Sequence, residues 1–137
     1  MIICDTTVLI DILRKKPSIM DSLRGKSQNS LFTTEISVME LFYGLYSNKF
    51  YDFKREILEK RKQAISELLH HFIVLPFDRK SAIITAKLMG NLQKSGKMID
   101  FRDGMIAGIS IANNITNILT KNVKHFKRIS ELKIISY

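Results

Sequence analysis

The sequence predicts an α/β fold, with a central, mostly parallel sheet of four to five strands covered by helices on both faces. Three observations carry this expectation. Short apolar runs (MIIC, LFTT, FIVL, NILT, KIIS) alternate with longer stretches of helical periodicity. Strands separated by helices need crossover connections, which set neighbouring strands parallel and lay helices over the sheet. The third observation is composition: 45% apolar residues, 6 glycines and 2 prolines in 137 residues are ordinary for a globular chain. That length suits one core, and no repeat or linker-like stretch divides it, so residues 1–137 are read as a single domain.

Each element has a local reason. MIIC is a strand that ends at Asp5, and VLIDIL then takes helical spacing as far as Pro17. A short helix over Ser18 to Arg24 is broken by Gly25 and the polar KSQNS. LFTT is the second strand, and Thr34 is placed to cap a helix carrying Val38, Met39, Phe42, Leu45 and Tyr46 at three-and-four spacing. Asp52 to His71 reads as the clearest amphipathic helix, with Ile57, Leu58, Ala64, Ile65, Leu68 and Leu69 on one stripe. FIVL is a strand stopped by Pro76, and Asp78 is the expected N-cap of the helix that follows. After the KSGK loop, DGMIAGISIANN is apolar on nearly every side and so expected to be buried, with Gly104 and Gly108 allowing a close neighbour. NILT, a short helix over Val123 to Lys127, and KIIS complete the chain.

Charge points to a polyanionic partner. Lysine and arginine number 22 against 13 acids, a net charge of +9. The basic residues are dispersed over exposed helix faces, a pattern that solubility alone also produces. The single cysteine, Cys4, has no partner for an internal disulfide, which suits a reducing, cytoplasmic setting. No secretory leader is legible, and no apolar run approaches the ~20 residues of a membrane helix. A glycine-rich phosphate loop, a zinc-like Cys/His set and a Gly-x-Ser-x-Gly elbow are all absent.

The acids are more specific. Asp5 ends the first strand, and in parallel sheets the functional crevice lies beyond the carboxyl ends of the strands. It is either the cap of the next helix or one corner of a charged site. Glu40 lies in the helix after the second strand, between apolar neighbours. Asp103 opens the buried helix, where amide groups and the dipole favour a carboxylate, and Asp100 lies three residues earlier as a potential N-cap. Clustered carboxylates repel unless a cation separates them, and Mg²⁺ or Mn²⁺ takes such oxygen ligands. Metal held this way activates water and neutralises phosphate, so an acidic pit on a basic protein fits a polyphosphate substrate. Asp11 is expected to be solvated, and His70, His71 and His125 are read as surface or capping residues.

At these residues the sequence resembles the PIN-domain ribonucleases, specifically VapC-type toxins of toxin–antitoxin pairs. DTTVLIDIL resembles the family's first block and places Asp5 on its first acid. TTEISVMELFYG is similar to the second and puts Glu40 on the family glutamate. DFRDGMIAGISIANN resembles the third, with Asp103 on its acid, and NILTKNVKHFKRISELKI resembles the closing block. Many relatives carry a further acid just after the threonine of that block, where this chain has Asn122. The resemblance implies a PIN-like α/β/α sandwich and a Mg²⁺- or Mn²⁺-dependent endoribonuclease. It implies Asp5, Glu40 and Asp103 as catalytic and metal-binding acids, with Asp100 in support and Thr6, Thr120 and Asn122 orienting carboxylates or waters. It further implies an RNA substrate, a VapB-type antitoxin that occludes the site, and a homodimer. Asn122 keeps a second reading open, an RNA-binding module on the same fold without useful catalysis.

Overall fold

In the computed structural model, which describes residues 1–137, five short strands run parallel in one sheet. They are β1 (Ile2–Cys4), β2 (Leu31–Thr34), β3 (Ile73–Leu75), β4 (Asn117–Leu119) and β5 (Lys133–Ile135), in the spatial order β3-β2-β1-β4-β5. Ile3 is aligned with Phe32 on one side and Ile118 on the other, so β1 is the central strand. The chain winds from β1 through β2 to β3 and then returns to place β4 on the opposite flank of β1. The strand order therefore reverses at β1, and the crevice beyond its carboxyl end is a topological switch point.

Seven α-helices cover the sheet: α1 (Thr6–Leu13), α2 (Pro17–Leu23), α3 (Glu35–Tyr46), α4 (Arg55–Leu69), α5 (Arg79–Lys94), α6 (Phe101–Ala112) and α7 (Val123–Phe126). Successive side chains of a strand point to opposite faces, and the two cores follow that alternation. Ile3 and Ile118 join a cluster with Met89, Leu92, Ile106 and Ile109 of α5 and α6. Cys4 and Leu119 join the other, with Val8, Leu9, Leu41, Ile65 and Leu68 of α1, α3 and α4.

The caps expected from sequence are in place: Thr34 accepts from Ser37 N, and Asp78 from Ser81 N. Helix α6 packs closely on α5, because a Cβ at Gly104 or Gly108 would collide with Met89 or Thr85. Most boundaries fall within a residue or two of expectation, and the clearest difference is at the start of α4. Residues 49–53 form a separate 3₁₀ turn entered through the Asn48 side chain, so α4 begins at Arg55 rather than near Asp52. Phe72 lies one residue before β3, with its side chain in the core at 9% exposed.

Candidate active site

Asp5 is the last residue before α1 and the first beyond β1, in an extended conformation (φ −79°, ψ 179°). Its Oδ1 accepts from the Val8 amide at 3.2 Å and the Thr7 hydroxyl at 2.6 Å, and its Oδ2 from the Thr120 hydroxyl at 2.5 Å. It is therefore a helix cap, yet it also faces a pit. The Thr120 hydroxyl arrives from just beyond β4, the strand beside β1, and accepts in turn from the Asn122 amide at 2.8 Å.

The other acids reach the same pit from separate elements. Glu40 on α3 receives the Thr6 hydroxyl at 2.7 Å. Asp103 lies in the first turn of α6, where its Oδ2 accepts from Asn122 Nδ2 at 2.6 Å and pairs with His125 Nδ1 at 2.5 Å. Asp100 caps α6 and holds the Arg102 guanidinium at 3.1 and 3.2 Å, while that guanidinium also lies 3.6 Å from Glu40. These residues and Thr7 enclose a cavity of about 210 Å³ with no apolar side chain in its wall.

Burial and mutual repulsion make the pit hungry for positive charge. Burial pushes the Asp5 carboxyl up to about 6; the Thr120, Thr7 and Val8 donors oppose that, and the Asp103 charge adds to it. Glu40 is raised by burial, against the Thr6 hydrogen bond and Arg102, and again by Asp103 and Asp100. Asp103 is raised chiefly by burial, with His125 opposing. Asp100 moves the other way, held low by the hydrogen bonds from Arg102.

The structure thus brings Asp5, Thr6, Glu40, Asp100, Asp103 and Asn122 together around one pit, with Thr120 directly behind Asp5. It adds Arg102, Thr7 and His125, which sequence reasoning did not place there. His125 is not a bystander on the surface: its ring contacts Asp103, 22 residues away. Asp11 is a plain correction. It is 3% exposed rather than solvated, and ties α1 to the segment after β4 through Lys121, to Lys16 at 2.9 Å and to the Tyr137 hydroxyl at 3.1 Å. Burial acts to raise its carboxyl, but the Lys121, Lys16 and Tyr137 hydrogen bonds outweigh it and hold it at about 2. Cys4 is buried beside the pit and its thiol is pushed up to about 12, first by burial and then by the Asp5 charge, so it is inert at neutral pH.

As a test of metal chemistry, no three His, Cys, Asp or Glu side chains converge closely enough to enclose an ion alone. The donors are nevertheless hard carboxylate, amide and hydroxyl oxygens. Mg²⁺ keeps several of its waters and needs only one or two carboxylates, so this donor set fits such an ion held partly through water.

A parallel sheet with acids converging at its switch point from the first strand, from α3 and from α6 defines the class of the protein, and comparison with known families agrees. The chain belongs to the PIN domain family, whose profile matches residues 2–132. Within that family it groups with the VapC-type toxins. It is 30% identical over 135 residues to Ribonuclease VapC of Rickettsia bellii, spanning 98% of this chain and 95% of that protein. It is 25% identical over 129 residues to the tRNA(fMet)-specific endonuclease VapC of Shigella flexneri, spanning 94% and 92% of the two chains. Among solved structures, the crystal structure of VapBC2 from Rickettsia felis bound to a DNA fragment from their promoter holds a chain that superposes with a TM-score of 0.85. The two chains are 27% identical, and the match covers 100% of this chain and 99% of that one.

Proposed function

We propose that this protein is an endoribonuclease toxin that hydrolyses RNA phosphodiester bonds at the acidic pit, with Mg²⁺ or Mn²⁺ as cofactor, and that a VapB-type antitoxin restrains it. One observation carries the reading. Three acids from three separate elements meet at the sheet's switch point, each held by a hydroxyl, an amide or an imidazole, on a chain that matches VapC ribonucleases nearly end to end. The chain works as one domain, and a homodimer and a cytoplasmic location belong to the same reading. The outer face of α3 supports a dimer, since Tyr43 and Tyr46 are 64% and 61% exposed. No helix is long and apolar enough to cross a membrane.

The side chains divide the work. Asp5, Glu40 and Asp103 are the residues that would hold the ion, with Asp100 in support. A bound Mg²⁺ or Mn²⁺ supplies a water of lowered pKa and neutralises charge that develops on the phosphate. Thr7, Thr120 and the Val8 amide fix the Asp5 carboxylate, leaving one lone pair, on Oδ2, for an ion. Thr6 does the same for Glu40. Asn122 and His125 together fix the outer oxygen of Asp103. Arg102, 48% exposed at its side chain and bound to Asp100, offers a guanidinium to a phosphate oxygen at the rim of the pit.

The RNA-binding module remains the second reading because Asn122 gives Asp103 an N–H donor where a further carboxylate would add charge. Growth separates the two. Induced expression of the wild type in a bacterial host arrests growth, Asp103→Asn does not, and co-expression of a VapB-type antitoxin that binds it restores growth. Equal arrest by wild type and Asp103→Asn would remove the pit from the toxic activity.

A further inference from the structure

Helix α7 joins the acidic pit to a second, oppositely charged feature. On the pit side, Asn122 and His125 contact Asp103, and Phe126, fully buried, anchors the turn in the core. The other residues of α7 and its exit turn elsewhere. Lys124, Lys127 and Arg128 join Lys97 around an open basin of about 850 Å³ whose wall is completed by Val123 and Ser130. No acid lines this basin. None of its four cations is in an ion pair, so their charges are free for an external anion. Glu131, the neighbouring carboxylate, lines the adjoining cleft with Arg128 and accepts from Ser130.

The two walls of the basin are tied to each other. Arg128 donates to the Met98 carbonyl at 2.5 Å, which ties the loop carrying Lys97 to the end of α7. Unpaired like charges gathered on one rigid surface repel one another, a cost that disappears when a polyanion covers them. A pit that cuts a phosphodiester needs the strand held beyond the cut, and a phosphate track one helical turn away supplies that hold. We infer that this basin binds the backbone phosphates of single-stranded RNA flanking the cleaved bond, so that the strand crosses α7 with its scissile phosphate over the acids. The inference rests on the nuclease reading for its substrate but not for its test.

Binding of a labelled single-stranded RNA is measured in EDTA, without cleavage, across a salt series. Each phosphate contact on a single strand contributes about 0.7 to the slope of log affinity against log salt. Lys124→Gln/Lys127→Gln therefore lowers the slope by about 1.4, and Lys97→Gln, on a separate loop, by about 0.7. The control Lys60→Gln/Lys133→Gln makes the same charge change on α4 and at the amino edge of the sheet and leaves the slope at its wild-type value. Equal losses in the two double variants would reduce the basin to net charge and overturn the inference. Duplex DNA that binds as tightly as the RNA and weakens in the same variants would overturn the assignment to RNA. A protein that shows the basin-specific slope yet cleaves no RNA keeps the basin and loses the nuclease reading; one that cleaves RNA while the slope ignores Lys97, Lys124 and Lys127 does the reverse.

Discussion

Replacing Asp5 by Asn should stabilise the metal-free protein while destroying its activity. Asp5 is 2% exposed, and its carboxyl lies at about 6 against an ordinary value of 3.8. Roughly two pKa units correspond to about 3 kcal/mol of unfavourable charge burial at neutral pH. The sign follows from linkage. Below pH ~4 the carboxyl is protonated in folded and unfolded chains alike, so the penalty is absent. It grows between pH ~4 and ~6 and is constant above that. Asparagine keeps an oxygen for Val8 N and Thr7 but turns an N–H toward Thr120, whose hydroxyl must then find another acceptor, at a cost of about 1 kcal/mol. The expected net gain is about 2 kcal/mol at pH 7, a rise in Tm of several degrees, and it gives way at pH 4 to a loss of up to about 1 kcal/mol, where only the Thr120 cost remains. Thermal unfolding of both proteins in EDTA at the two pH values measures it, and RNA cleavage by the variant should be lost. A variant less stable than wild type at pH 7, or a difference that ignores pH, would refute this reasoning and make Asp5 a structural cap only.

Three further outcomes follow from the same geometry. Thr120→Val removes a charge-assisted hydrogen bond of about 1.5–3 kcal/mol from Asp5, so the acid limb of the cleavage pH profile should move up by one to two units. Asn122→Asp adds a carboxylate beside Asp103; calorimetry should show Mn²⁺ bound about tenfold or more tightly, about 1.4 kcal/mol, with unchanged affinity counting against an ion held beside Asp103. Asp11→Asn cuts the ties to Lys16 and Lys121 and should cost about 2 kcal/mol at pH 7, the lysines being free to return to water. Because the Asp11 carboxyl lies at about 2 in the folded protein, its stabilisation is present above pH ~4 and lost as pH falls toward 2, so denaturation of variant and wild type should converge in acid.

What was legible in the sequence was what is local. The strands were visible as short apolar runs between helices, and the caps Thr34 and Asp78 as the right residue types at helix starts. Asp5 stood out because an acid follows directly on a buried strand, and Asp103 because it opens a helix with no polar face. What was hidden depends on contacts across the chain. Asp11 sits on α1 where spacing alone suggests solvent, and its burial follows from Lys121 and Tyr137, the latter 126 residues away. His125 lies in a polar segment with no apolar pattern to place it, and its ring meets Asp103 from 22 residues away. Arg102 carries no signal of its own in the sequence, and it is Asp100 that folds it back over Glu40. The four cations of the basin are likewise scattered over a loop, α7 and its exit, and no spacing announces them.

The central claim is that the acids around this pit cut RNA with the help of a divalent ion. The most direct measurement incubates purified, antitoxin-free protein and its folded Asp103→Asn variant with cellular RNA in Mg²⁺, in Mn²⁺ and in EDTA, and maps the RNA ends produced. Discrete cleavage by the wild type with metal, absent in EDTA and absent in the variant, is the predicted result. Cleavage that persists in EDTA or in Asp103→Asn would contradict the claim.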